Sequence, residues 1–198
     1  MDILGIVGSA RKTGTTKTLV ERTLEAIQKE NTGLTTEMLH ISDYKIAPCS
    51  VSCSSHCTNK QYSCALNDDI NLVLEKMKVA KGLVIGTPLY FRSPPAVFAC
   101  FAERMISMSY YWEISGKDCK SALSDKPCIL IGVAEYSNPQ VMLEYLNDFC
   151  MILKMKPVLL EKFPYFGIAS HSKIIENSEF NTMESIDELA RKITPLLL

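Results

Sequence analysis

Asp2-Ile3-Leu4-Gly5-Ile6-Val7-Gly8-Ser9-Ala10-Arg11-Lys12-Thr13-Gly14-Thr15-Thr16 sets an almost continuous apolar run against a glycine-punctuated, hydroxyl-rich turn. A short apolar run without polar alternation reads as a strand buried on both faces. Beyond the turn, Leu19, Val20, Leu24 and Ile27 recur at helical spacing, which predicts a helix from about Thr15 to Lys29. The same unit recurs outward along the chain. Further strands are expected over residues 34–41, Gly82–Thr87, Cys128–Ala134 and Lys156–Glu161. Helices are expected after Asn67-Asp68-Asp69, after Ser93-Pro94-Pro95, from Asn138-Pro139 to about Leu153, and over residues 182–196. Strands alternating with helices imply an α/β fold: a doubly wound, five-stranded parallel sheet with helices on both faces. In such sheets ligands bind beyond the carboxyl ends of the strands, which directs attention to loops 8–16, 87–94 and 132–138.

The first of these loops is built to hold an anion. It feeds a helix N-terminus, where backbone N–H groups lack intrahelical partners and the dipole adds partial positive charge. Ser9, Thr13, Thr15 and Thr16 add hydroxyls, Gly14 gives backbone freedom, and Arg11 can fork onto a phosphate oxygen. The loop has neither Gly-x-Gly-x-x-Gly nor a Gly-Lys-Ser/Thr ending, so dinucleotide and ATP sites fit it less well. A terminal monophosphate such as that of FMN fits better. In the second loop Pro88, Leu89, Tyr90 and Phe91 can give a flat ring apolar contact and amide donors, and Ala134 and Glu135 lie in the third.

Composition narrows the class further. The chain has 198 residues and a formal net charge of −1, which argues against a nucleic-acid partner. The longest apolar runs fall far short of the ~20 residues that span a membrane. The N-terminus shows no export signal, so a cytoplasmic location and a single domain over residues 1–198 are expected. His40, His56 and His171 have no metal-ligand spacing and read as bystanders. Cys100, Cys128 and Cys150 read as small core residues, and nothing marks Cys119 as activated.

Three ordered segments resemble the NAD(P)H-dependent FMN reductase family, whose fold is flavodoxin-like. They are Gly8-Ser9-Ala10-Arg11-x-x-Gly14-Thr15-Thr16, Thr87-Pro88-Leu89-Tyr90-Phe91 with the helix ending Ala102-Glu103-Arg104, and the cysteine loop running into Asp68-Asp69. The last is similar to the iron–sulfur flavoprotein branch of that family. The resemblance implies FMN as cofactor, NAD(P)H or a ferredoxin-type donor, a small-molecule electron acceptor, and a homodimer or dimer of dimers. Two departures stand out. Ala99 occupies a helix position where the family usually has Lys, and Gly132-Val133-Ala134-Glu135-Tyr136-Ser137 lacks the family's usual glycines. Ser107-Met108-Ser109-Tyr110-Tyr111-Trp112 reads as an exposed connection suited to a lid, a subunit contact or local packing.

The Cys-rich loop at 42–66 holds Cys49, Cys53, Cys57 and Cys64, separated by three, three and six residues. On a helix, Cys49 and Cys57 would be ~12 Å apart, too far for one compact cluster, so a cluster requires irregular backbone. Cluster-bearing relatives use gaps of about two, two and five. Four thiolates suit a 4Fe-4S cluster or zinc, and free, oxidisable thiols are the third reading. Two redox functions follow: an electron-transfer flavoprotein with a cluster, or a cluster-free NAD(P)H-dependent FMN or quinone reductase. A nucleotide-binding module without redox turnover leaves the cysteines unexplained.

Overall fold

A computed structural model of the chain describes residues 1–51, 57, 62–109, 121–172 and 181–198. The strands are β1 (Ile3–Val7), β2 (Thr36–His40), β3 (Gly82–Pro88), β4 (Pro127–Ala134), β5 (Lys156–Pro157) and β6 (Ile168–His171). The helices are α1 (Thr15–Glu30), α2 (Ile70–Val79), α3 (Ala96–Arg104), α4 (Gln140–Ile152) and α5 (Thr182–Ile193). All strand pairings are parallel, in the order β2-β1-β3-β4-β5, with β6 also on β4. This is the flavodoxin-like order, and the winding of the chain across the sheet reverses between β1 and β3.

Alternate residues of the central strands serve opposite layers, because successive side chains leave a strand on opposite faces. Leu4, Ile6, Leu83, Ile85, Cys128 and Leu130 face a core completed by α2, α3 and α4. Ile3, Val7, Val84, Ile129 and Ile131 face the core of α1 and α5. Both faces are therefore covered, which is why these strands read as unbroken apolar runs. Phe98, Phe101 and Phe149 pack together in the first layer, with centroids 5.4–6.1 Å apart, and so lock α3 against α4.

The fifth strand departs from the expected single run over Lys156–Glu161. Only Lys156 and Pro157 pair with Pro127 and Cys128, and the N–H of Val158 still reaches the Cys128 carbonyl at 2.8 Å. The chain then leaves the sheet, because the N–H of Leu160 bonds instead to the carbonyl of Tyr165 at 2.8 Å. It returns as β6 beside Ile131–Ala134. Gly167 makes the return possible: its φ is +151°, and a Cβ there would stand 2.2 Å from the Leu130 carbonyl oxygen. Both the angle and the close approach exclude other residues. Gly167→Ala should accordingly lower stability by about 2–4 kcal/mol. A urea unfolding midpoint matching that of the native chain would contradict this.

Candidate functional site

The carboxyl ends of β1, β3 and β4 open onto a cavity of about 590 Å³, a volume typical of cofactor pockets. Every residue expected to contact a cofactor lines it. Ser9, Arg11, Thr13, Gly14, Thr15 and Thr16 come from the first loop, Pro88, Leu89, Tyr90 and Phe91 from the second, and Ala134 and Glu135 from the third. Val133, Tyr136 and Ser137 of the third loop also line it, as do Lys17 and Ser172, which sequence reading did not single out. Ser172 arrives only because β6 returns to the sheet, a step that pattern alone did not show.

The first loop gathers donors at one end of the cavity. Gly14 has a φ of +144°, and a Cβ there would meet nothing within 4 Å, so backbone conformation alone demands glycine. Ser9 Oγ accepts the N–H of Arg11 at 3.1 Å and keeps its own proton to donate. Thr15 Oγ1 donates to the carbonyl of Ser172 at 2.9 Å. That hydroxyl is thus engaged in tying the loop to β6, and Thr15 offers an anion its backbone N–H instead. Lys17 adds a cation near the helix start, ion-paired to Glu21 one turn on.

His40 proves to be part of this loop's support. It ends β2 in register with Val7, it is buried, and its Nε2 donates to the carbonyl of Arg11 at 2.9 Å. The carbonyl can only accept, so the neutral ring carries its proton on Nε2, and Nδ1 accepts from Ser42 Oγ at 2.9 Å. Burial holds the imidazole below its ordinary range against the opposing pull of the Arg11 carbonyl, and Lys12 adds to the lowering.

The second loop supplies an apolar wall. The N–H of Leu89 bonds to the carbonyl of Val133 at 2.7 Å, and Tyr90 and Ser93 exchange backbone bonds of 2.8 and 2.9 Å. Between them Phe91 and Arg92 have φ of 49° and 59°, a tight turn of the kind normally given to Asn or Gly. An aromatic residue there is strained, and strain of this sort collects at ligand sites. The Phe91 side chain is fully exposed at the cavity's lip. One polar, cationic end and one apolar wall suit a planar group that carries a phosphate.

The cysteine loop lies beyond the far end of α3. Cys49 is half-buried, and Cys57 and Cys64 are buried; Cys53 falls outside the described residues. Among the described residues, no three His, Cys, Asp or Glu side chains stand together as a metal site. The donor set nonetheless fits a metal group in kind: the loop's first and last cysteines are both tethered to α3. Cys49 donates its N–H to Glu103 Oε2 at 3.0 Å, and Cys64 Sγ meets the guanidinium of Arg104. Thiols of this kind give up their protons as a metal binds, and such a site is seldom preformed without it. Arg104 also pairs with Asp68 at 2.8 Å. Burial opposes the charge on both groups, and their mutual hydrogen bonds overcome it, so the Asp68 carboxyl sits below its usual range and Arg104 above its own.

Two other expectations meet the structure here. Cys128 and Cys150 are core residues, as expected, with sulfurs 3.6 Å apart, and Cys100 is half-buried. The segment expected to be exposed after α3 is not so at its start, because Ser107, Met108 and Ser109 are buried where the chain continues to pack behind that helix. Tyr110, Tyr111, Trp112 and Cys119 lie outside the described residues. Among the described residues, no helix is long and apolar enough to cross a membrane.

Fold and cavity together define an α/β protein with a cavity at its switch point that has one polar, cationic end and one apolar wall. The sequence profile of the NADPH-dependent FMN reductases matches residues 1–164. The chain is 26% identical over 155 residues to an iron–sulfur flavoprotein of Methanocaldococcus jannaschii, covering 78% of this chain and 74% of that one. It is 25% identical over 199 residues to the iron–sulfur flavoprotein of Methanosarcina thermophila, covering 100% and 95% of the two chains. Among solved structures, an archaeal flavodoxin superposes with a TM-score of 0.59 at 12% identity, covering 100% and 99%. The chain belongs to the NADPH-dependent FMN reductase family and is an FMN-dependent oxidoreductase.

The support from His40 makes a pH prediction. Its folded pKa lies below the ordinary 6.5, so between the two values the unfolded chain binds the proton and the native chain does not. Native stability should therefore fall as pH drops from above 6.5 through the folded value, then level off. Urea midpoints at pH 7.5 and 5.5 should differ less in His40→Gln than in the native protein. Equal differences would show that this ring does not contribute.

Proposed function

We propose that the chain is an electron-transfer flavoprotein that passes electrons through FMN to a small acceptor. The observation that carries the reading is the convergence of three separate loops on one cavity with a phosphate end and an apolar wall. FMN, when bound, supplies the one- and two-electron chemistry. Ser9, Thr13, Thr16, Arg11 and the first-turn N–H groups of α1 would hold its phosphate. Pro88, Leu89, Tyr90 and Phe91 would cover one side of the ring, and Ala134 and Glu135 would flank it from the third loop. Water is excluded chiefly by Leu89, Val133 and Ala134, all buried at the cavity floor.

Cys49, Cys53, Cys57 and Cys64 are the ligands we assign to an iron–sulfur cluster of the kind named in the relatives, which supplies single-electron storage. The tethering of the first and last of them to α3 supports this. The same reading takes the chain as one cytoplasmic domain over residues 1–198, a homodimer or dimer of dimers, reduced by NAD(P)H or a ferredoxin-type donor. It assigns no nucleic-acid or membrane partner. A second reading, a cluster-free NAD(P)H-dependent FMN or quinone reductase, is favoured by the widened cysteine spacing.

Flavin titration followed by fluorescence tests the cavity assignment. FMN should bind at least about 100-fold more tightly than riboflavin, and Arg11→Ala should weaken FMN roughly 10- to 100-fold while leaving riboflavin unchanged. Equal affinity for the two flavins would overturn the assignment. Steady oxidation of NADPH by the FMN-loaded protein would favour a pyridine-nucleotide donor, and its absence would favour a protein donor.

A further inference from the structure

Helix α3 starts just after the cavity-lining segment and ends at the cysteine loop, and its last residue is the largest fully buried side chain among the described residues. Burying a guanidinium costs several kcal/mol unless its donors find acceptors. Arg104 has an acceptor for all five. Nη1 donates to the Ala47 carbonyl and to Asp68 Oδ2, both at 2.8 Å. Nη2 donates to Asp68 Oδ1 at 3.1 Å and to Cys64 Sγ at 3.0 Å, and Nε donates to the same sulfur at 3.1 Å. Two cationic N–H groups thus converge on one sulfur, although a neutral thiol is a weak acceptor. Such a pair suits a sulfur that carries charge, as a metal-bound thiolate does. Asp68 and the Ala47 carbonyl fix the guanidinium from the other side, so its remaining N–H groups stay aimed at the sulfur.

We propose that Arg104 is a positioning residue for Cys64 as a metal ligand, and that its two N–H···S bonds make the bound metal group easier to reduce. The inference rests on the iron–sulfur reading above. Hydrogen bonds to a ligand sulfur draw charge from it, and this favours the reduced, more negative form of the group. Asp68 acts one step further out, by aiming the guanidinium.

The test uses the full chain, reconstituted anaerobically with FMN, iron and sulfide, with iron and FMN counted per chain. Cluster and FMN potentials are read separately by spectroelectrochemistry in the native protein, Arg104→Lys and Asp68→Glu. Arg104→Lys should retain iron but have a cluster that is harder to reduce, with a reduced-to-oxidised ratio roughly tenfold lower at a fixed potential, ~59 mV for one electron. The FMN potential should not move. Asp68→Glu, which keeps the carboxylate charge but displaces the guanidinium it aims, should shift the cluster in the same direction by less, and it carries the test if Arg104→Lys does not fold. Unchanged cluster potentials in folded, iron-loaded variants would overturn the role of Arg104 and leave the iron–sulfur reading standing. A native protein that takes up FMN but no iron would overturn both.

Discussion

Parallel pairing of β1 with β3 constrains everything else in this chain. Val7 lies opposite Gly86, and the chain runs outward from this pair in both directions. The loops after β1 and β3 are therefore carried to opposite faces of the sheet and leave a crevice between them. The crevice places the N-terminus of α1, with its unpaired N–H groups, opposite the apolar turn at Tyr90–Ser93. Neither loop forms a site alone. One supplies charge and hydroxyls, the other surface, and the sheet fixes their separation.

The same geometry relates the cavity to the cysteine loop. Helix α3 carries the chain from the Phe91 turn to Glu103 and Arg104, where the two ends of the loop are tethered. Nine residues of helix span ~13 Å, so the cavity and the cysteine loop stand at opposite ends of one short rigid element. The aromatic cluster of Phe98, Phe101 and Phe149 holds that element against α4, which keeps their relative placement from depending on the loops themselves.

Much of this was legible in the sequence, for reasons that can be named. The β1, β3 and β4 runs are buried on both faces and so appear as apolar blocks, and the helices between them carry clear stripes and starting signals. The first loop was legible as a wall of the cavity because its signal is local, glycine plus hydroxyls before a helix. The break between β5 and β6 was not: Lys156–Glu161 is apolar enough for a strand, and only Leu160 bonding to Tyr165 diverts it. His40, Ser172 and Arg104 were missed as supports for the same physical reason. Their partners, the Arg11 and Thr15 positions and Cys64, are distant along the chain, so only strand register and helix placement bring them together. Thr15 shows the converse, a residue that lines the cavity while its hydroxyl is engaged elsewhere.

The most direct test of the account is the visible spectrum of the full chain purified without oxygen, with bound FMN and iron measured per chain. The account predicts one FMN per chain, with the two flavin absorption peaks and a broad brown shoulder that fades on reduction. A colourless protein that does not take up added FMN would contradict it.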